Sequence, residues 1–408
     1  MIFPLFYAQY VPDKKDQKCM HKKETRFNQK IPIESPVLRG VLRKYEEMHK
    51  QATNNENIVE AFHEGNIKNK YLYIEEGTSG LGNRLISILS AFLFALLTNR
   101  VILIKSMDYD FNLILCQPFH NSSWIMPEGV DMKKVKGQNI VGDHASGEYG
   151  RMLNPKVEDE LKNVPIYRIR DSEQYFMPYI FANPAFKERL HAWFPSRNVG
   201  TVLAKYLLHP RDDIWMEVLE TFQSKPLMSH SLGMQVRSQS DGKQQLGCFG
   251  DIPNDAYIYV ASLMRLKESI MMTRSNNWVI TQKYSEGGQV NDYNQVKHAL
   301  YDIFLLSLTD RCAISAHSTF GYLVMALKGS MCVFSKDRAD EKDPPCYLPN
   351  SHEICFHLGY RNDISKEVQK EMFTQGCRDF YQSQGLQINY GRHLTITNGT
   401  QNIFTNQL

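Results

Sequence analysis

The chain of 408 residues contains no run of five like charges, no C-x-x-C pair, no internal repeat and no low-complexity tract. Each absence excludes a class. Basic and acidic residues nearly cancel, 47 Lys+Arg against 44 Asp+Glu, which leaves neither a polybasic grip for nucleic acid nor an electrostatic tether to a membrane. Glycine and proline are sparse, at 24 and 17, while hydrophobic residues reach 42%, so collagen and disordered chains are ruled out. Eight cysteines in a chain this long do not make a small disulfide scaffold, and without C-x-x-C they offer no zinc ribbon or thioredoxin-like pair. Residues 85–104 approach the length of a membrane span, but Asn99 and Arg100 interrupt them, and a buried helix followed by a buried strand fits better. The first eleven residues are apolar, too short to cross a bilayer, and lack a signal-peptide cleavage site. What remains is a globular chain whose length suggests two or three domains.

Residues 1–68 read as a polar N-terminal arm with one docking helix, where Val37, Leu38, Val41, Leu42 and Tyr45 recur at helical spacing. From Tyr71 the pattern changes. Y-L-Y-I is a strand, E-E-G-T-S-G-L-G-N-R a glycine-rich turn, 85–97 a helix apolar all round, and 101–104 a second strand. That succession is the βαβ unit of a parallel sheet. Residues 111–198 are rich in Pro, Asn and Tyr and weakly periodic; helices are expected at 184–193, at 199–208, and from a cap at Asp212 or Asp213 to Phe222. After about Lys225 the alternation restarts. Strands are expected at 233–236, 278–281, 312–315 and 331–334, and helices at 293–308, at 320–327 and from a cap at Asn254 or Asp255 to about Met271. The expectation is an α/β chain with a first Rossmann-like domain over 69–225, a second over 226–386 and a polar tail over 387–408. Two parallel-sheet domains facing each other form a cleft at the carboxyl ends of their strands.

Three strings at expected strand ends carry chemistry. In G-T-S-G-L-G-N-R, residues 77–84, a glycine turn before a helix lets backbone N–H groups approach an anion, or is simply a tight turn. The dinucleotide fingerprint fails at Leu85, and the phosphate-loop G-K-S/T is absent. In G-M-Q-V-R, Arg237 follows a strand and is either a surface arginine or a fork for two phosphate oxygens. In A-H-S-T-F-G-Y, residues 316–322, Ser318 or Thr319 caps a helix and can also offer hydroxyl and N–H groups to phosphate. A serine-hydrolase elbow is disfavoured because Ala316 and Phe320 stand where it needs glycine. Asp108-Tyr109-Asp110 matches the D-x-D of metal-dependent sugar transferases but reads better as a solvated loop, and His209 with Asp212 reads as helix capping rather than acid/base machinery. Sequons stand at Asn121 and Asn398, and they matter if the chain enters the secretory pathway.

Together with S-P-V-L-R-G-V-L-R-K-Y-E-E-M-H, C-Q-P-F, S-S-W-I-M-P, Y-F-M-P, K-Y-L-L-H-P, F-L-L-S-L-T-D, D-P-P-C and C-F-H, in this order over roughly 37–386, these strings resemble the plant galactoside 2-alpha-L-fucosyltransferases, the xyloglucan fucosyltransferase family. The resemblance implies a GT-B-like fold of two Rossmann-like domains. It implies inverting transfer of L-fucose from GDP-β-L-fucose to O2 of a terminal galactose on xyloglucan or an arabinogalactan glycan, without a cofactor or required metal. It implies a Golgi enzyme, membrane-anchored in the family, although this chain as written shows no anchor, with a homodimer allowed and no nucleic-acid partner. Carried onto this sequence, Arg237 contacts the GDP diphosphate, and Ser318, Thr319, Phe320, Gly321 and Tyr322 line the nucleotide. Gln282 and Glu286, retained from a segment of altered spacing, join them, while Gly82, Asn83 and Arg84 face the cleft from the first domain. The acidic residue that precedes Y-F-x-P and approaches the acceptor is here Glu173, with Asp171 close by. The family's Val-Phe after the arginine is replaced by Ser238 and Gln239, which supports the alternative of a catalytically inactive GDP- or glycan-binding protein. A lumenal location further implies disulfides, expected most of all among Cys332, Cys346, Cys355 and Cys377.

Overall fold

The computed structural model describes residues 19, 35–105, 110–135, 140–144, 150–172, 175–223, 231–236, 245, 248–249, 257–262, 278–280, 293–315, 318–335, 346–348, 392–395 and 403–404. Helix α1 (Pro36–Asn55) starts where Ser35 Oγ accepts the Leu38 N–H and proline occupies the first turn. Its buried residues Leu38, Leu42, Tyr45, His49 and Ala52 form one stripe. That stripe docks on the first sheet: the Tyr45 hydroxyl accepts the Ile102 N–H at 2.9 Å, and His49 Nε2 donates to the Ile102 carbonyl at 3.0 Å.

The first sheet contains β1 (Tyr71–Glu76), β2 (Val101–Lys105), β3 (Ile140–His144) and β4 (Ile166–Ser172), all parallel, in the order β2-β1-β4-β3. Between β1 and β2 runs α2 (Leu81–Leu97), buried along nearly its whole length. It begins four residues before the expected start at Leu85, so Gly82, Asn83 and Arg84 form its first turn rather than a loop. Strands β3 and β4 were not expected in the weakly periodic stretch. β4 reads I-Y-R-I-R-D-S, a strand alternation with polar residues on one side, whereas β3 reads I-V-G-D-H, with only two apolar residues and a glycine that give it no strand signal. Two more helices, α3 (Val199–Leu207) and α4 (Asp212–Gln223), lead to the second sheet; Asp212 and Asp213 lie inside the first turn of α4, and the Arg211 carbonyl receives its first N–H groups.

The second sheet contains β5 (Ser231–Val236), β6 (Tyr257–Ser262), β7 (Trp278–Ile280), β8 (Arg311–Ser315), β9 (Val333–Ser335), β10 (Cys346–Leu348), β11 (Arg392–Thr395) and β12 (Ile403–Phe404). Its order is β12-β11-β10-β9-β8-β5-β6-β7. β7, β6, β5, β8 and β9 are parallel, and the remaining three extend the edge in antiparallel fashion. Two expectations are corrected here. Residues 257–262 are strand, not the helix expected after Asn254 or Asp255, because Y-I-Y-V-A-S alternates aromatic and β-branched residues and pairs with β5 along its full length. The expected polar tail at 387–408 contributes two edge strands. Helices α5 (Tyr293–Ser307) and α6 (Thr319–Lys328) flank β8. One hydrophobic cluster runs through both sheets, joining Leu72, Phe92 and Leu103's neighbour Ile104 to Leu306, Leu323 and Phe334.

Disulfides join Cys19 to Cys116 and Cys312 to Cys332. The second bridge includes one member of the expected set but pairs it with Cys312, across the β8–β9 crossover. Among the described residues no helix is long and apolar enough to cross a membrane; residues 85–104 are the end of α2, a turn and the start of β2.

Candidate active site

In an open parallel sheet, ligands bind outside the carboxyl ends of the strands where the order of connections reverses. In the first sheet that reversal lies between β1 and β4; in the second it lies between β5 and β8. The strings singled out in the sequence leave these strand ends: the glycine turn follows β1, Asp171 is on β4 with Glu173 just beyond it, Arg237 follows β5, and Ser318 to Tyr322 follow β8. Side chains of Arg237, Glu173, Gln282 and Glu286 lie outside the described residues. Asp171 sits on β4 between Ile169, paired with Ile74, and Ser172, paired with Glu76, where the register shifts.

The two reversal points meet. A Cβ built on Gly82 would lie 2.7 Å from Thr319 Oγ1, 2.8 Å from the Phe320 nitrogen and 2.9 Å from the Thr319 carbonyl carbon. Thus the first turn of α2 presses directly on the first turn of α6, and glycine is the residue that allows it. Both helices point their N-termini, with partial positive charge, into this junction. Gly80 caps α2 without a side-chain hydrogen bond, whereas Ser318 caps α6 by accepting the Gly321 N–H at 3.5 Å. Arg84 is fully buried and its Nε donates to the Ser79 carbonyl at 2.7 Å, so it braces the glycine turn from inside. A Cβ at Gly321 would come within 2.8 Å of Ile314 Cβ, which shows how closely α6 lies on β8. Tyr322 is buried under that helix, 6.0 Å edge-on to Phe334, while Phe320 is only partly buried.

The second reversal point is tied by buried amides and hydroxyls. Gln245 Nε2 donates to the Gln235 carbonyl at 2.6 Å and to Ser335 Oγ at 3.3 Å. Ser315 N donates to Gln235 Oε1 at 3.1 Å, and Ser315 Oγ donates to the Gln235 carbonyl at 3.0 Å. These bonds cross the carboxyl ends of β5, β8 and β9 and fix those strand ends to one another. Sequence reasoning missed Gln245, which carries no local signal. It also missed Glu76 and Glu75. Glu76 is fully buried at the end of β1, where a charged residue closing a buried strand is a readable sign. Glu75 faces the other way and pairs with Arg168 and, at 3.9 Å, with Lys105 Nζ. The Arg168 guanidinium lies 5.7 Å from the centre of the Tyr73 ring, and burial pushes the Tyr73 hydroxyl pKa up.

The two decoys take structural places. Asp110 caps the short turn Phe111–Leu113, accepting the Asn112 N–H at 2.9 Å; Asp108 lies outside the described residues. His209 is buried, with Nε2 3.0 Å from the Tyr206 carbonyl.

A family model described as xyloglucan fucosyltransferase matches residues 8–164, 158–248 and 262–364. Fucosyltransferase 2 of Arabidopsis thaliana is 26% identical over 430 residues, covering 84% of this chain and 78% of the relative. A galactoside 2-alpha-L-fucosyltransferase of Pisum sativum is 27% identical over 401 residues, covering 79% and 70%. A solved structure of a mutant of Arabidopsis thaliana FUT1 in complex with GDP superposes with a TM-score of 0.66 at 21% identity, covering 84% of this chain and 90% of that one. The fold is therefore the GT-B-like one.

Proposed function

This chain belongs to the xyloglucan fucosyltransferase family, a family of glycosyltransferases, and from that premise we propose that it moves L-fucose from GDP-β-L-fucose to O2 of a terminal galactose with inversion. The observation that carries the reading is the junction of the two reversal points at Gly82 and Thr319–Phe320. It supports a single cleft with a donor side built on 226–386 and an acceptor side built on 69–225. On the donor side Arg237 forks onto the diphosphate, and the N–H groups at the start of α6, with Ser318 and Thr319, share its charge. Phe320 offers its partly buried ring to the nucleotide, with Gln282 and Glu286 alongside. Gly321 and Tyr322 seat the helix that presents these groups. From the first sheet the N-terminus of α2, whose cap Gly80 brings no side-chain acceptor, approaches the departing phosphate at Gly82 and Asn83, and Arg84 holds the turn in shape.

In the reaction the bond between fucose C1 and the diphosphate oxygen breaks while galactose O2 bonds to C1 from the opposite face. GDP departs with the electron pair of the broken bond. The proton of the O2 hydroxyl passes to a carboxylate on the acceptor side, Glu173 or Asp171. A loose, oxocarbenium-like transition state places much of the charge on the leaving diphosphate, where preorganised donors act most strongly. In this reading the diphosphate charge is met by Arg237 and backbone N–H groups rather than by a metal ion. The enzyme works in the Golgi lumen, where the family's acceptor glycans are made and where disulfides persist.

The test pairs turnover of GDP-fucose on galactosylated xyloglucan with calorimetric GDP binding. Arg237→Lys keeps the charge but loses the planar two-point contact, so both Arg237→Lys and Arg237→Ala are expected to lose about 2–4 kcal/mol of transition-state stabilisation, on the order of thirty- to a thousandfold in rate. Variants that fold like the parent and turn over within about threefold of it refute the assignment. Binding of GDP without any transfer by the parent supports instead the inactive binding protein suggested by Ser238 and Gln239.

A further inference from the structure

We propose that Asn121 carries an N-linked glycan. The tripeptide Asn121-Ser122-Ser123 is an acceptor sequon, and the fold treats its three residues differently. Asn121 is exposed, with φ of 51°, a left-handed turn conformation that asparagine tolerates better than most residues. Its backbone carbonyl accepts from Asn54 Nδ2 at 3.0 Å, while its own carboxamide makes no hydrogen bond to a described residue. Ser122, by contrast, is 7% exposed and is held by His49 Nδ1 at 2.5 Å and Thr53 Oγ1 at 2.8 Å, under the last turns of α1. Ser123 is exposed, and its Oγ accepts the Ile125 N–H at 3.2 Å. The loop is thus pinned through the middle residue, and the asparagine side chain stands out into solvent with room for a bulky substituent.

The inference rests on the lumenal part of the proposed function, and the disulfides Cys19–Cys116 and Cys312–Cys332 support that compartment independently of catalysis. The chemistry is a group transfer. The Asn121 carboxamide nitrogen bonds to the anomeric carbon of an oligosaccharide carried on a polyprenyl diphosphate. The anomeric C–O bond breaks, the polyprenyl diphosphate leaves, and the amide gives up one proton. Because Ser122 and Ser123 are engaged once the loop closes on α1, the transferring enzyme reads the tripeptide before folding is complete. A chain folded first without the glycan is then a poor acceptor.

The experiment secretes the full chain from yeast behind a cleavable leader, treats it with a peptide glycanase in heavy-oxygen water and maps the peptides by mass. The expected result is labelled aspartate at position 121 and a gel shift that Asn121→Gln and Ser123→Ala abolish, while Ser123→Thr keeps it. An unmodified peptide across position 121 in secreted, disulfide-bonded protein overturns the proposal, as does label at position 398 alone. Free thiols throughout the chain isolated from its own cells overturn the lumenal premise and the glycan with it. A glycan at Asn121 on a chain with no transferase activity leaves this inference standing and removes the proposed reaction.

Discussion

Replacing Gly82 by alanine tests the junction on which the active-site reading stands. The added Cβ would sit 2.7–2.9 Å from three atoms of α6, of which the Phe320 nitrogen and the Thr319 carbonyl carbon are backbone and cannot rotate away. Restoring an ordinary contact of ~3.5 Å requires the two helix starts to part by more than half an ångström. Overpacking of this kind costs about 1–3 kcal/mol. Alanine is favoured over glycine in a helix by up to ~1 kcal/mol, so the steric term prevails over most of its range and the net loss reaches about 2 kcal/mol. Calorimetric melting reads this as a fall of a few degrees. The larger effect falls on the ligand: if both helix N-termini face the GDP diphosphate, parting them misaims their N–H groups, and GDP affinity drops by about tenfold or more. Titration calorimetry against GDP measures it directly. If Gly82→Ala melts with the parent and binds GDP as tightly, the two helix starts are not in contact in solution, and the shared cleft is refuted.

A matched substitution has the opposite sign. Gly40 lies inside α1 with nothing within 4 Å of its would-be Cβ, so Gly40→Ala is expected to stabilise the protein by about 0.5–1 kcal/mol in a denaturant titration. Burial pulls His49 down to about 4, although its bond to the Ile102 carbonyl opposes that shift. The unfolded chain therefore takes up a proton near pH 6.5 that the folded chain refuses until near pH 4. Stability is expected to fall by about 3 kcal/mol as pH drops through that window, and His49→Gln should flatten that part of the curve; an unchanged pH slope in the variant counts against a buried neutral imidazole. Because Arg237 and backbone donors are assigned the diphosphate charge, EDTA should leave fucose transfer intact, and loss of activity restored by manganese would reverse that assignment.

What could be read from the sequence was what is local. The strand, glycine turn, helix and strand from Tyr71 to Lys105 announce themselves through contiguous apolar runs and one turn, and so does the capped helix after β8. β6 is hidden in the sequence because Asn254 and Asp255 look like helix caps, while the strand alternation of Tyr257–Ser262 is satisfied only by pairing with distant β5. β4 needs β1 for the same reason. At the site, the strings beside Gly82, Arg237 and Ser318 stood out by composition. The approach of Gly82 to Thr319 and Phe320 did not, since it depends on the strand order of two sheets. Gln245 fastens β5, β8 and β9 by geometry alone. Pairing Cys312 with Cys332 likewise depends on a crossover that brings distant positions together.

The hydrophobic cluster that runs from Leu72 through α2 to Leu323 and Phe334 makes the two sheets one cooperative unit. α2 belongs to the first sheet by connectivity, yet it is apolar all round because α6 and α3 cover the sides that β1 and β2 do not. Neither half therefore has a finished surface of its own: a chain ending near residue 225 would present much of α2 to water as a sticky face. Swinging the halves apart would expose the apolar seam itself, at a cost set by the buried apolar surface.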